Sequence, residues 1–271
     1  MSAPARQLVS FGLLAFSISW TIWAVCLVSG QDVTGSSITW LFAIGASGPT
    51  LAAIALWIGI RRRMPGIATS WRRAWLWAPL ALVLGLAPAV LAALVQAPAT
   101  LGERLVDGTN SVVAASGGWI LFVITYLIAG PLAEEFGWRG FAQPRLRTRF
   151  GLVGTSLVLG AVWAVWHVPL YLLNGTGQHE TGLLTLPAVL FFVGCVPTST
   201  IFLVLSERLR GGVASAVLLH LALNVGLSVL PLDSTVGSAL YLGWTTVIAV
   251  VVTAVFWHAG SRTDATSPAT A

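Results

Sequence analysis

The sequence predicts an all-α, polytopic membrane protein with about eight transmembrane helices and both termini on the inner face (N-in/C-in). Three observations lead there. Of 271 residues, 56% are hydrophobic and only 8% charged, with a mean hydropathy of +0.87; soluble domains carry about 25% charged residues. Apolar segments recur at roughly 8–29, 38–60, 75–95, 113–137, 152–173, 183–205, 211–230 and 238–258, each near the about 20 residues a helix needs to cross a bilayer. The arginines cluster on one side of those segments. Together these exclude a soluble enzyme, a disordered tail and a disulfide-stapled secreted module.

The first segment begins after a single Arg6 and runs from Leu8 to Gly30. It is longer than a signal h-region of about 7–15 residues and lacks a small-x-small cleavage site, so it is expected to stay as the first span. Val25 before Cys26 is a poor match to a lipoprotein site. With the N-terminus inside, the inner connections hold Arg6, Arg61, Arg62, Arg63, Arg72, Arg73, Arg139, Arg145, Arg147, Arg149, Arg208, Arg210 and Arg262. Only Arg104 falls outside. The positive-inside rule therefore selects this orientation. The pI of about 10.2 is read as topology and not as a nucleic-acid surface, because the charges flank apolar runs. Trp40, Trp75, Trp77, Trp119 and Trp257 lie near segment ends, where interface anchors belong. Alternating polarity of the barrel kind is absent, and a backbone in hydrocarbon satisfies itself as helix. Cys26 and Cys195 lie inside apolar runs, and no disulfide is expected.

The chain divides into residues 1–112 (helices 1–3), 113–230 (a core of helices 4–7) and 231–271 (the last helix and a short disordered tail from Gly260). Polar residues concentrate in the core. Span 4 ends P-L-A-E-E-F-G-W-R-G, with Glu134, Glu135 and Arg139. Span 5 carries His167 and span 7 carries His220 and Asn224. A charged side chain at the bilayer centre costs at least about 2.5–3.5 kcal/mol, which marks such groups as functional. Glu135 and Arg139, four apart, share a helix face and can pair. Glu134 points away from that pair. His220 and Asn224 repeat the spacing, as do Trp163 and His167. If spans 4 and 5 turn near Arg149–Gly151, and the stretch Arg139–Arg149 protrudes into the cytosol, the polar groups converge at one depth.

One carboxylate, two imidazoles and a carboxamide suffice to hydrolyse a peptide bond. Glu134 is the expected general base on a water that His167 also holds. His220 and Asn224 are the expected oxyanion donors. Glu135 and Arg139 would fix the helix. Neither a Ser-His-Asp set nor the H-E-x-x-H zinc signature is present. Glu134, His167 and His220 also suit a divalent metal such as zinc with an open position, so metal-bound water and water held by side chains both stay open. Taken singly, Glu135–Arg139 reads as a structural pair, His167 as an interhelical hydrogen bonder and Asn224 as interhelical glue. Trp163, Trp166 and Trp138 read as packing, and Pro131 and Pro169 as kinks beside the site.

E-E-x-x-x-R (Glu134, Glu135, Arg139), aromatic-x-x-x-H (Trp163, His167) and H-x-x-x-N (His220, Asn224), in this order on successive spans, resemble the type II CAAX prenyl endopeptidases. That group is also called the CPBP or ABI family of CAAX proteases and bacteriocin-processing enzymes. Trp163 stands where the family usually has Phe. The resemblance implies an eight-helix intramembrane endopeptidase with Glu134, His167, His220 and Asn224 as its functional set, commonly labelled a metalloprotease. It implies a peptide or membrane-protein substrate, membrane lipid as surroundings and a prokaryotic cell membrane as location. Oligomeric state is not predicted. Two other functions compete: a non-catalytic immunity or scaffold protein of the same fold, and a proton-coupled transporter, against which the lack of internal repeats speaks.

Overall fold

The computed structural model describes residues 3–60, 68–232 and 234–257. Arg61, Arg62, Arg63, Arg262, His258 and the tail after Gly260 lie outside the described residues, as does the side chain of Trp257. Among the described residues there is no strand. Seven helices are long and apolar enough to cross a bilayer. They are α1 (Pro4–Ser29), α4 (Trp71–Gln96), α6 (Trp119–Arg147), α7 (Leu152–Leu172), α8 (Leu186–Arg208), α9 (Gly212–Val229) and α10 (Thr235–Phe256). The bent pair α2 (Thr39–Ala46) and α3 (Gly48–Gly59), which meet at 54°, is apolar enough to make an eighth crossing when taken as one span. The bend has local causes. Ser47 Oγ donates back to the Ala43 carbonyl at 2.9 Å, a bond that competes with the helix ladder, and Pro49 supplies no amide proton to continue it.

The apolar composition decides which surfaces face out. Leu13, Val28, Ile58, Ile120 and Val153 are all exposed, as side chains turned to lipid should be. Inside, α9 packs along α4 and touches α6, α8 lies between α7 and α10, and α1 lies along α3. The larger core cluster holds the fully buried Trp23, Trp77, Trp138 and Trp166, and a smaller one forms around Ala89, Ala93, Val229 and Leu230.

Four sequence expectations change. Span 4 starts at Trp119 and continues as helix to Arg147, well past the expected end at 137. The connection before it contains a further helix, α5 (Leu101–Ala115). Leu101, Leu105 and Val112 lie along one face of α5, which packs over Val229 and Leu230 at the end of α9; its polar Glu103, Arg104 and Asp107 hid that face within a short stretch. The segment from Arg139 onward, expected to stand free as a protrusion, is packed against the rest of the protein. Arg139 and Arg145 are buried, and Arg145 donates to Gln7 Oε1 at 2.8 Å and lies over the Phe141 ring. Gln143 donates to Ser206 Oγ at 2.9 Å, and Arg147 pairs with Glu207 at 3.0 Å. Partners on α1 and α8 therefore take in these polar groups. Finally, Trp40, Trp75 and Trp119 are exposed as interface anchors, but Trp77 is not; it turns into the core and donates to the Ser70 carbonyl at 3.0 Å.

Candidate active site

The site begins with a break in α6. Gly130-Pro131 interrupts the helix because Pro131 has no N–H and its ring disfavours helical backbone at the preceding residue. Ala129 adopts φ −79°, ψ 86° and Gly130 adopts φ 113°, ψ −76°. The second conformation is one that only glycine takes without strain. Beyond the break, Ala133–Glu135 is helical and Phe136–Ala142 continues in wider π-helical turns, a geometry frequent at functional sites. Gly137 lets this turn lie directly on Pro49 of α3; a Cβ there would come within 2.4 Å of the Pro49 backbone.

The two adjacent glutamates leave this turn in different directions, as their spacing predicts. Glu135 Oε1 meets Arg139 at 3.0 Å, four residues on. The same oxygen accepts from His220 Nδ1 at 2.7 Å, so Glu135 also orients the α9 imidazole. Both partners of the Glu135–Arg139 pair are fully buried. The rest of the Arg139 guanidinium lies 3.7 Å from the Phe202 ring centre and 4.8 Å from that of Trp163. Its Nε and one terminal nitrogen have no hydrogen-bond partner, and the ring faces offer cation–π contact in their place.

Glu134 is buried and takes no part in that pair. Its Oε2 accepts the indole Nε1–H of Trp163 at 2.8 Å. Trp163 is thus more than packing, which corrects the sequence expectation. It is also the centre around which both histidines stand. Its ring centroid lies 5.1 Å from that of His167 and 5.9 Å from that of His220, both edge-on. Trp166 and Trp138 do pack. Trp166 lies 4.8 Å from the Trp23 ring and donates to Ser19 Oγ at 2.9 Å, while Trp138 stands edge-on to Phe11.

His167 closes the regular part of α7, where the chain tightens into a 3₁₀ turn over Val168–Leu172 that includes Pro169. Its Nδ1 lies 2.8 Å from the Trp163 carbonyl oxygen. A carbonyl only accepts, so Nδ1 carries the proton, and in the neutral ring Nε2 is the free lone pair. The same logic applies to His220, whose Nδ1 faces the Glu135 carboxylate. Neutral, it offers a lone pair at Nε2; as a donor it carries a second proton there, with Glu135 as counter-charge.

Polar atoms of Glu134, His220 and Asn224 gather in front of Gly130. A methyl placed on Gly130 would stand 3.0 Å from Asn224 Nδ2, 3.3 Å from His220 Nε2 and 3.6 Å from Glu134 Oε1. These three atoms, from α6 and α9, therefore face one spot beside Gly130, too tight for a methyl without a neighbour giving way. Asn224 is half-buried, one turn beyond His220. The sequence had offered a signal for Gly130, the dipeptide Gly-Pro just before Glu134; reading Pro131 alone as a kink missed the glycine. The ring of Phe202 under Arg139 and the bond from Glu135 to His220 had no sequence signal.

Glu134, His167 and His220 were also expected as a possible zinc set. Among the described residues, no three His, Cys, Asp or Glu side chains are gathered as metal ligands. Glu134 Oε1 and both imidazole Nε2 atoms keep lone pairs, and a carboxylate on His220 Nδ1 is a common support for a metal-binding ring. What does not fit such an ion is the spacing, since the three side chains are not gathered around one point. Cys26 and Cys195 are both buried and unpaired.

Residues 116–226 match the family described as type II CAAX prenyl endopeptidase Rce1-like. The chain is also 30% identical over 104 residues to CAAX prenyl protease 2 of Methanococcus maripaludis, a match covering 38% of each protein. The chain thus aligns with well under half the length of that curated relative. The matched family segment contains the break at Gly130 and every residue from Glu134 to Asn224 described above. Over residues 116–226, this chain is similar to the type II CAAX prenyl endopeptidases.

Proposed function

We propose that this protein is an intramembrane endopeptidase that hydrolyses a peptide bond in a membrane-associated or peptide substrate. The carrying observation is the shared space in front of Gly130, bordered by Glu134 Oε1, His220 Nε2 and Asn224 Nδ2. In this reading a water sits between Glu134 Oε1 and the His167 Nε2 lone pair. Glu134 takes its proton as the water oxygen bonds to the scissile carbonyl carbon. The carbonyl oxygen becomes an oxyanion and receives hydrogen bonds from Asn224 Nδ2 and from His220 in its doubly protonated form. The carbon–nitrogen bond then breaks, and the amine leaves with the proton that Glu134 returns. Glu135 and Arg139 hold His220 and the α6 turn in place.

The substrate side of the proposal follows the printed name of the relative: a prenylated peptide ending in a CAAX sequence is the first substrate to try. Likeness to that family over residues 116–226, a complete polar set and burial of the charges around it favour an enzyme over a non-catalytic immunity or scaffold protein. The test compares membranes carrying wild-type protein with membranes carrying Glu134→Gln, His167→Ala or His220→Ala, each checked for folding. Uncut peptides should accumulate in all three variants. Undiminished cleavage in all three would end the enzyme reading. A chelator added to the wild-type protein should leave the rate unchanged. Loss of activity restored by zinc would show instead that Glu134, His167 and His220 draw together on an ion.

A further inference from the structure

We infer that Trp163 is a positioning residue that divides the two oxygens of Glu134 between holding and reacting. This rests on the proposal that Glu134 is the general base. The indole Nε1–H donates to Oε2 at 2.8 Å, while Oε1 is the oxygen that borders the space shared with His220 and Asn224. A carboxylate with one oxygen tied to a rigid donor cannot rotate about its last side-chain bond without losing that contact. Oε1 is thereby aimed at the reacting space, and the assignment of the base is to that atom.

The donor is itself firmly held. Trp163 is buried. One neighbour of its ring is the Arg139 guanidinium, 4.8 Å from its centroid. Phe202 stands edge-on at 6.1 Å and His167 edge-on at 5.1 Å. The Trp163 carbonyl accepts the His167 Nδ1 proton at 2.8 Å. One residue thus sets the direction of Glu134 through its side chain and the tautomer of His167 through its backbone. Phenylalanine, the aromatic usual at this position in the resemblance described above, would fill the space and keep the carbonyl. It has no N–H to offer. The division of labour between the two oxygens is therefore a property of this chain's tryptophan.

Two replacements separate the N–H from the bulk. Trp163→Phe removes the donor and some volume; β-(3-benzothienyl)alanine at 163 keeps the bicyclic shape and replaces N–H by sulfur. Both are assayed in lipid nanodiscs with an internally quenched prenylated CAAX peptide, beside wild type and Glu134→Gln. Losing a hydrogen bond to a charged group is expected to lower kcat roughly ten- to a hundredfold, with KM unchanged and the benzothienyl variant still folded by thermal melt. Equal kcat in that variant and wild type overturns the inference while Glu134→Gln stays inactive. Cleavage by Glu134→Gln at the wild-type rate overturns the base assignment itself. A second readout needs no substrate. The indole ¹⁵N–¹H resonance of Trp163, identified by its loss in Trp163→Phe, should move in Glu134→Leu. An unmoved resonance would mean that the contact is absent.

Discussion

The two halves of this chain draw on the same apolar residues, yet they bury different things. Among the described residues of α1 to α5, the buried polar side chain is Ser19. From α6 to α9 the interior holds Glu134, Glu135, Arg139, Gln143, Arg145, His167 and His220. The first half acts as a wall. Phe11 stacks on Phe141, Ser19 receives Trp166, and Pro49 supports the turn at Gly137. The second half spends its packing on holding charge. The cost of burying a group such as the Glu135–Arg139 pair is repaid only if geometry and partners are good, and here ring faces and His220 supply the partners. The contrast teaches that composition located the membrane, while the departures from it located the chemistry.

That contrast can be broken or sharpened by substitution. The largest effect is expected for Glu134→Gln, which should lower the cleavage rate about 10²–10⁴-fold, the usual worth of a general base, with the fold intact by thermal melt. Next comes Glu135→Ala. It strands the buried Arg139 charge, and breaking one side of a buried pair costs about 3–5 kcal/mol of stability; chemical denaturation would read it. Asn224→Ala should keep the fold and lower kcat about 10²–10³-fold, the range for an oxyanion donor. The smallest effect tests the wall. Ser19→Ala removes the acceptor of the Trp166 indole and should cost about 1 kcal/mol of stability with kcat unchanged. A catalytic defect in Ser19→Ala would show that the first half reaches the chemistry.

The sequence made the fold class legible because hydrocarbon leaves the backbone few options, and apolar run length then counts the crossings. It made Glu134, His167, His220 and Asn224 legible because ionisable and amide side chains stand out in an apolar run. Other features were out of reach for physical reasons. The helix Leu101–Ala115 has too few apolar residues to register as a span. The bend at Ser47 turns on one hydroxyl and one proline inside an unbroken apolar run. The burial of Arg139 and Arg145 depended on partners such as Phe202 and Gln7, far away in sequence, so their charge alone did not tell that they lie inside the protein. Trp163 was legible as an aromatic in a motif; that its N–H meets Glu134, 29 positions away in the chain, required two helices in contact.

In the proposed reaction, Glu134 activates a water beside His220 and Asn224. Cleavage of the peptide in H₂¹⁸O tests it most directly. The wild-type protein should place one ¹⁸O in the new C-terminal carboxyl group, and Glu134→Gln, equally folded, should yield no labelled product on the same timescale. Labelled product formed by Glu134→Gln at the wild-type rate would contradict the account.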